Sequence, residues 1–255
     1  MVPGIPLLRI TSTLLLFLAG LVVSGKAVTG EIHIAVASNF TTTMRVLAER
    51  FEAQSDHIVV LLPGSTGKHF AQIMNGAPFD AFFAADTQRP ERLEAEGRII
   101  PGSRFSYAIG KLVLWSPDPE LVDSYGAVLE SGTFRRLAIA NPRLAPYGRA
   151  AQQFLESRGI LKSLQPKLVR GENISQAFQF VASGNAELGL VALSQLMQSG
   201  RHGEGSRWQV PDKLHAPIEQ QAVLLSDSAA AVDFMRFAKS ESARAIIRDS
   251  GYGIP

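Results

Sequence analysis

The feature of this sequence that most constrains its fold is a regular alternation of short apolar runs with stretches of helical periodicity. Ile32–Ala37 and Ile58–Leu62 are apolar runs of strand length, and Thr41–Gln54 and His69–Asn75 follow them with apolar residues at helical spacing. The apolar run Phe79–Ala85 continues the pattern. Strands that alternate with helices favour an α/β fold built on mainly parallel sheets.

The alternation is interrupted near residue 115 and then begins again, which predicts two lobes. Leu112–Trp115 has the composition of a strand, and Pro117 and Pro119 break the chain directly after it. The predicted strands that follow are Leu137–Ala140, Leu168–Val169, Leu188–Val191 and Gln220–Leu225, with helices at Arg149–Arg158, Ser175–Ala182, Leu193–Gln198, Ala229–Lys239 and Ser242–Asp249. We place the last two helices on the first lobe. The predicted division is therefore 28–113 with 224–255 for lobe 1, and 114–223 for lobe 2.

Residues 1–27 have the composition of a secretory signal peptide. Arg9 precedes the apolar run Leu14–Val23, and the small residues Ser24, Gly25 and Ala27 follow it. This run is well short of the roughly 20 residues that cross a bilayer. We predict cleavage near Ala27 and export to the periplasm; an uncleaved membrane anchor is the alternative.

The charge balance and the absence of cysteine exclude several classes of function. Without residues 1–27 the chain loses Arg9 and Lys26, which leaves 23 basic and 23 acidic residues. A near-neutral chain with no basic stripe gives no indication of a nucleic-acid partner. With no cysteine there is neither a disulfide nor a thiolate metal site. The fold must therefore be stabilised by an apolar core, and 46% hydrophobic residues are enough for one.

Small polar residues stand at the turns between the first strands and helices. Ala37-Ser38-Asn39 follows the first strand, and Gly64-Ser65-Thr66-Gly67-Lys68 follows the second. A hydroxyl residue caps a helix well, and the first N–H groups of a helix have no acceptor within it. Two such helix starts directed at one point would bind an anion without a positively charged side chain.

Two similar junctions occur in the second half. Asn141-Pro142 and Ala145-Pro146-Tyr147-Gly148 precede one helix, and Gly171-Glu172-Asn173-Ile174-Ser175 precedes another. Ligands of open α/β sheets bind beyond the carboxyl ends of the strands. Each junction alone is also explained by ordinary helix capping, but four of them, two in each half, indicate an anion site between the lobes.

The sequence resembles the periplasmic molybdate-binding proteins of ABC importers over nearly all of the chain after residue 30. The resemblance rests on a set of short motifs in a fixed order: Ala35-Val36-Ala37-Ser38-Asn39-Phe40, Gly64-Ser65-Thr66-Gly67-Lys68, Gln72-Ile73, Gly76-Ala77-Pro78-Phe79-Asp80, Phe83-Ala84-Ala85-Asp86, Asn141-Pro142, Pro146-Tyr147-Gly148, Gly189-Leu190-Val191 and Gly251-Tyr252-Gly253-Ile254. It implies a two-lobed periplasmic-binding-protein fold of type II, with a tetrahedral oxyanion held in the cleft.

The resemblance also implies which residues contact the oxyanion. Ser38 matches a donor through its hydroxyl and N–H groups, and Thr66 matches the second hydroxyl position. Asn39 and Ser65 stand beside them as further ligand-binding candidates. Tyr147 and Ile174 match positions that donate a backbone N–H. These residues would contact molybdate oxygens without ligating the metal directly, and the resemblance implies no cofactor.

One position departs from the family pattern. Some members carry a tyrosine after the Gly-Leu-Val run, and this chain has Ala192 there. We hypothesise that the hydroxyl of Tyr147 replaces the missing phenol. The partners implied are a small oxyanion and a membrane-embedded permease, with a monomeric protein and no nucleic acid.

A site of neutral donors suits molybdate because this dianion is fully deprotonated at neutral pH and only accepts hydrogen bonds. Tungstate is expected to bind in the same way. Phosphate keeps a proton and benefits from a carboxylate acceptor, and the only acidic side chain near the four turns is Glu172. Lys68 is expected to face solvent or another side chain. Because a sulfate-binding protein would need the same donors, that alternative stays open.

Other classes fit the sequence less well, and we expect no enzymatic activity. The phosphate-loop pattern fails because Leu62 and His69 stand where it requires Gly and Ser or Thr. No Gly-x-Ser-x-Gly elbow is present. The five histidines, His33, His57, His69, His202 and His215, lack metal-ligand spacing. A ligand-sensing domain of a transcription regulator remains the alternative from another class, and cellular location would distinguish it.

Overall fold

The structure is a computed structural model that describes residues 30–200 and 203–255 together with Met1. The predicted signal peptide therefore lies outside the described residues. The chain first builds, in order, β1 (Glu31–Ala37), α1 (Thr41–Glu52), β2 (Ile58–Gly64), α2 (Thr66–Met74), β3 (Ala81–Phe83), α3 (Gln88–Ala95) and β4 (Phe105–Gly110). A 3₁₀ turn, Ser38–Phe40, separates β1 from α1. β1 is almost continuously buried, as is usual for a parallel strand covered on both faces.

The middle of the chain builds a second sheet with its own helices. Its elements are β5 (Leu112–Ser116), α4 (Val128–Ser131), β6 (Leu137–Ala140), α5 (Pro146–Ser157), α6 (Leu161–Leu164), β7 (Leu168–Gly171), α7 (Ile174–Ala182), β8 (Leu188–Ala192), α8 (Leu193–Gln198) and β9 (Ser206–Gln209). Short 3₁₀ turns occupy Gln165–Lys167 and Asp212–Leu214. The chain then forms β10 (Ile218–Leu224), α9 (Ala229–Ala238) and α10 (Glu241–Asp249).

The two sheets have the same plan. The strand order is β2-β1-β3-β10-β4 in the first sheet and β7-β6-β8-β5-β9 in the second. β10 is antiparallel to β3 and β4, and β5 is antiparallel to β8 and β9. The other neighbours are parallel. Each sheet is therefore mixed, with one reversed strand among four that run in a common direction. The predicted two-lobed α/β fold is confirmed.

Each sheet has its own apolar core, and we call the two halves the first and second lobe. β1, α1, α9 and α10 pack together in the first lobe around Phe40, Leu47 and Phe234. The second lobe packs α5 and α7 on β6 and β8, with Phe154 and Ile139 at its centre. The helices α9 and α10 thus lie on the lobe predicted for them.

The chain passes between the sheets at other residues than the predicted boundaries. All of β5, which begins at Leu112, belongs to the second sheet, whereas the predicted boundary of lobe 1 was residue 113. All of β10, which begins at Ile218, belongs to the first sheet, whereas the predicted return to lobe 1 was residue 224. The prediction relied on Pro117 and Pro119, but they follow β5. The true passage has no such signal because Lys111 alone separates β4 from β5.

Two features of the described residues concern membranes and metals. None of their helices combines the length and the apolarity needed to cross a membrane. Within the same part of the chain, no group of three or more His, Cys, Asp or Glu side chains is arranged to hold a metal ion.

Candidate functional site

A small cavity lies between the lobes at the carboxyl ends of β1, β2, β6 and β7. Its volume is about 190 Å³ including its opening to solvent. All six residues predicted to bind the ligand line it, namely Ser38, Asn39, Ser65, Thr66, Tyr147 and Ile174. The remaining lining residues are Ala37, Gly64, Ala85, Ala145, Pro146 and Asn173. The structure therefore brings the six predicted residues together around one space.

The end of β1 forms the first part of the cavity wall. Ala37 is extended, with φ −59° and ψ 132°, and the chain then turns into the 3₁₀ segment that starts at Ser38. The carbonyl oxygen of Ser38 accepts a hydrogen bond from the Thr41 hydroxyl, 3.1 Å away, which holds this turn. The first N–H groups of such a turn have no acceptor within it. The Ser38 and Asn39 N–H groups are thus placed at the cavity.

The start of α2 contributes two hydroxyl groups whose oxygen atoms are already engaged. Ser65 caps the helix, and its Oγ accepts a hydrogen bond from the Lys68 N–H at 3.3 Å. Thr66 Oγ1 accepts a hydrogen bond from the Ala85 N–H at 3.0 Å. Each hydroxyl keeps its own proton to donate. Both side chains are buried where the two residues line the cavity.

The second-lobe wall of the cavity is formed by the first residues of two helices. α5 begins at Pro146 after an extended Ala145, and Tyr147 is its second residue. Ile174 is the first residue of α7, and the side chain of Asn173 caps that helix by accepting the Gln176 N–H at 3.0 Å. The N–H groups of Tyr147 and Ile174 have no acceptor within their own helices because of these positions. The partial positive charge of the helix starts favours an anion here.

The side chain of Asn39 is not directed to a ligand. Its amide nitrogen donates to Gln220 Oε1 at 2.8 Å and to Tyr252 Oη at 3.1 Å. Both amide protons are therefore used inside the first lobe. The group that Asn39 can offer at the cavity is its backbone N–H.

The phenol of Tyr147 also points elsewhere. A Cβ atom built on Gly110 would lie 2.8 Å from Tyr147 Cζ and 3.0 Å from Gln220 Nε2. Neither Gly110 nor Gln220 lines the cavity. This placement argues against the hypothesis that the Tyr147 hydroxyl replaces the phenol missing at Ala192. The sequence could not predict this placement, because a resemblance matches residues and carries no side-chain direction.

The cavity is lined without any ionisable Asp, Glu, His, Lys or Arg side chain. The nearest charged groups are paired with one another at its edge. Lys68 Nζ lies 3.3 Å from Glu172 Oε1, in agreement with the prediction that Lys68 contacts another side chain. Asp86 pairs with Arg149 at 3.2 Å and also with Arg89. Among the described residues, no carboxylate lines the cavity to accept a proton from a ligand.

The lobes are in direct contact around the cavity. The Gly67 N–H donates to the Leu144 carbonyl at 2.8 Å, and the Ser175 hydroxyl donates to the Ser38 carbonyl at 3.0 Å. Gln198 Nε2 donates to Thr43 Oγ1 at 2.6 Å. These bonds join the two walls in the arrangement that the structure describes.

A larger groove adjoins the cavity and shares Ser38, Asn39 and Asn173 with it. Its volume is about 900 Å³ including open solvent. The other lining residues are uncharged: Thr41, Thr42, Pro63, Ser175, Phe178, Gln179, Gln195, Gln198 and Ser199. The cavity thus borders on a wide, neutral groove between the lobes.

The sequence matches known proteins over most of its length. Residues 32–253 match the family described as bacterial extracellular solute-binding protein. The chain is 49% identical to the molybdate-binding protein ModA of Azotobacter vinelandii over 227 residues, which is 88% of this chain and 90% of that protein. It is 45% identical to the ModA protein of Rhodobacter capsulatus over 248 residues, 96% of either chain.

Comparison of the structure with solved structures also gives a molybdate-binding protein. The structure matches the periplasmic molybdate-binding protein of Azotobacter vinelandii with a TM-score of 0.85 and 45% identity, covering 88% of this chain and 99% of that one. A sulfate-binding protein of Mycobacterium tuberculosis matches with a TM-score of 0.69 at 13% identity, over 88% of this chain and 87% of that one, which shows the shared fold alone.

Proposed function

The chain belongs to the bacterial extracellular solute-binding proteins and, among them, to the family of the ModA molybdate-binding proteins, and from this premise we propose that it binds molybdate in the periplasm and delivers it to the permease of an ABC importer. The expectation that the chain is a binding protein and not an enzyme is confirmed by this membership.

The observation that supports the proposal is that the six candidate residues, which come from both lobes, line one cavity whose other lining residues are also uncharged. We infer that the donors are the Ser38, Ser65 and Thr66 hydroxyls and the N–H groups of Ser38, Asn39, Thr66, Tyr147 and Ile174. Hydrogen bonds to a charged acceptor contribute about 1.5–3 kcal/mol each. Five or more of them are enough for micromolar to nanomolar affinity after the cost of association, roughly 8–12 kcal/mol in total.

The same donors favour a ligand that carries no proton. A site that only donates hydrogen bonds accommodates a tetrahedral dianion with no proton, such as molybdate or tungstate. Phosphate carries a proton at neutral pH, and the two carboxylates at the edge of the cavity, Glu172 and Asp86, are paired with cations. We therefore expect phosphate to bind weakly.

Sulfate has the same charge and shape as molybdate, so only the width of the closed cavity separates the two. A preference of about 100-fold requires roughly 2.7 kcal/mol, which a cavity too wide for sulfate can supply. Tungstate is close to molybdate in size, and we expect it to bind with similar affinity.

We infer that the ligand stabilises the closed arrangement of the lobes because it contacts donors on both of them. Residues 30–110 with 218–255 would then move as one body and residues 112–209 as the other. The closed form is the one that we expect the permease to recognise. The protein acts as a monomer in this scheme.

Calorimetric titration of the purified protein with molybdate, tungstate, sulfate and phosphate tests the proposal. Molybdate and tungstate are expected to bind at least about 100-fold more tightly than sulfate, and phosphate more weakly still. Equal binding of sulfate and molybdate would support a general oxyanion carrier. No binding of any of the four would refute the proposal.

The cellular location is tested separately, by fractionation of the cells that produce the protein. Recovery from the periplasm supports a role in import. Recovery from the cytoplasm with DNA-bound partners would favour a sensing domain.

A further inference from the structure

A cluster of polar side chains is buried behind the cavity, where the chain passes between the lobes. It consists of Asn39, Tyr107, Tyr147, Gln220 and Tyr252, and we call it the hinge cluster. Tyr147 comes from α5 of the second lobe, whereas the other four belong to the first. The cluster thus joins the two lobes beside the passage from β4 to β5.

Gln220 is the centre of the hinge cluster. Its Oε1 accepts hydrogen bonds from Asn39 Nδ2 at 2.8 Å and from Tyr107 Oη at 3.1 Å. The pairing of β10 with β4 shifts register between Gln220 and Gln221, and such a bulge redirects side chains. Because of the bulge, the buried side chain of Gln220 reaches both Asn39 in the first-lobe wall and the residues between the lobes.

The other end of the Gln220 side chain faces the second lobe. Gln220 Nε2 and Tyr147 Oη are buried, and the two side chains interact with each other without forming a hydrogen bond of good geometry. Both lie against Gly110, the last residue before the passage to β5. A Cβ atom at Gly110 would overlap the phenol, including Cζ at 2.8 Å, so only glycine leaves room for Tyr147 here.

This contact is connected to both walls of the cavity. Tyr147 has its N–H at the second-lobe wall and its phenol against Gly110. Asn39 has its N–H at the first-lobe wall and its side chain on Gln220. The distance between the two walls therefore depends on how closely the phenol of Tyr147 can approach Gly110 and Gln220.

We propose that Tyr147, Gly110 and Gln220 form a hinge stop that sets the separation of the closed lobes and so the size of oxyanion that the cavity prefers. This inference rests on the proposed function and names the determinant of its selectivity. Gln220 and Gly110 act as positioning residues because they do not line the cavity. The phenol of Tyr147 is a spacer between the lobes, and only its N–H faces the ligand.

Two opposite changes to the stop test this inference. Gly110→Ala adds a Cβ against the phenol and is expected to prop the lobes apart, which weakens both molybdate and sulfate binding by about tenfold or more. Tyr147→Leu removes the phenol and lets the lobes approach. It is expected to reduce the ratio of the sulfate Kd to the molybdate Kd by about tenfold. Tyr147→Phe, which removes the phenol oxygen alone, should lower this ratio by a smaller factor.

The double variant G110A/Y147L distinguishes a stop from general damage to the fold. It is expected to recover most of the affinity that G110A loses, since the added Cβ then meets no phenol. Gly203→Ala is the matched control, because a Cβ there meets nothing within 4 Å. It should bind both oxyanions as the wild type does. If G110A fails to fold, folding of the double variant supports the contact, and its failure to fold contradicts it.

Unchanged affinity in G110A, or an unchanged sulfate-to-molybdate ratio in both Tyr147 variants, would overturn the inference. Failure of the wild type to bind either oxyanion would instead contradict the proposed function. Small-angle X-ray scattering in saturating molybdate keeps the two separate, because the radius of gyration of the bound form depends on the separation of the lobes and not on affinity. The stop predicts a larger radius of gyration for G110A than for the wild type, and a return to the wild-type value in G110A/Y147L.

Discussion

The two walls of the cavity provide hydrogen-bond donors by different means. The first-lobe wall uses side-chain hydroxyls, and backbone N–H groups hold the oxygens of Ser65 and Thr66 in place. In the proposed site the second-lobe wall uses the backbone at Tyr147 and Ile174; the Ile174 side chain packs in the apolar core of that lobe, and the Tyr147 phenol lies against Gly110. The first wall therefore depends on which residues are present, and the second depends on where two helices begin.

Mutations should therefore affect ligand binding differently at the two walls. A conservative substitution that removes a hydroxyl changes the first wall directly. At the second wall almost any side chain preserves the donor, because the N–H belongs to the backbone. Proline is the exception, since it has no N–H. Substitutions at the two walls should therefore differ in effect according to whether they remove a hydroxyl or an N–H group.

Replacing Ile174 with proline is expected to weaken molybdate binding most, by about 100-fold. Proline is well tolerated at the first position of a helix, and Asn173 before it is already extended. The change thus removes one charge-assisted hydrogen bond, worth about 1.5–3 kcal/mol, and some apolar packing. Ile174→Val keeps the N–H and serves as the control. Equal losses by calorimetry in the two variants would show that packing, not the donor, is responsible.

Replacing Thr66 with valine is expected to weaken binding by about 30-fold. Valine has the shape of threonine but lacks the hydroxyl, so the ligand loses one donor, worth about 2 kcal/mol. The Ala85 N–H also loses its acceptor, which lowers the melting temperature. Thr66→Ser retains the hydroxyl and should stay close to the wild type. A Thr66→Val protein that binds normally would remove the hydroxyl from the first wall.

A pH effect on stability is expected from the first lobe. His69 is packed against Gly64 behind this wall, and its burial lowers its pKa below the usual 6.5. The unfolded chain then binds more protons than the folded one below pH 6.5. The free energy of unfolding should consequently fall as the pH is lowered through this range and stay level above it.

Thermal unfolding of the wild type and of His69→Gln between pH 5 and 8 measures this contribution. The glutamine variant does not titrate, so its melting temperature should depend less on pH below 6.5. Parallel curves for the two proteins would show that other groups account for the pH dependence.

Replacing Lys68 with methionine is expected to have the smallest effect, less than about threefold on affinity. Lys68 pairs with Glu172 across the lobes, and both side chains are about half exposed. Exposed ion pairs contribute at most about 1 kcal/mol. Glu172→Gln is the matched change on the other lobe. A loss of 100-fold in either variant would mean that a charge, and not neutral donors alone, holds the anion.

Much of the fold could be predicted from the sequence because its apolar runs are buried on both faces. The strand Leu137–Ala140 and the helix Leu193–Gln198 have the predicted bounds. β4 and β9 were missed: Ser106 and Tyr107 interrupt the apolar run of β4, and three of the four residues of β9 are polar. The predicted loop Arg201–Ser206 ends where β9 begins, and its residues 201–202 lie outside the described part.

The sequence was enough to predict which residues form the candidate site and which turns carry them. All six chosen residues line one cavity because each follows a strand whose carboxyl end lies at the same edge. The directions of the Asn39 and Tyr147 side chains could not be predicted. They depend on Gln220, which is distant in sequence and is brought to them by a bulge in β10.

The single residue between β4 and β5 has a consequence for how this protein can evolve. β5 is paired on both sides, with β8 and β9, so its register is fixed. One residue inserted or deleted at Lys111 would turn every side chain of β5 to the opposite face. The return passage over residues 210–217 has room to absorb such a change. Homologous chains should thus differ in length at the second passage and keep the first at constant length.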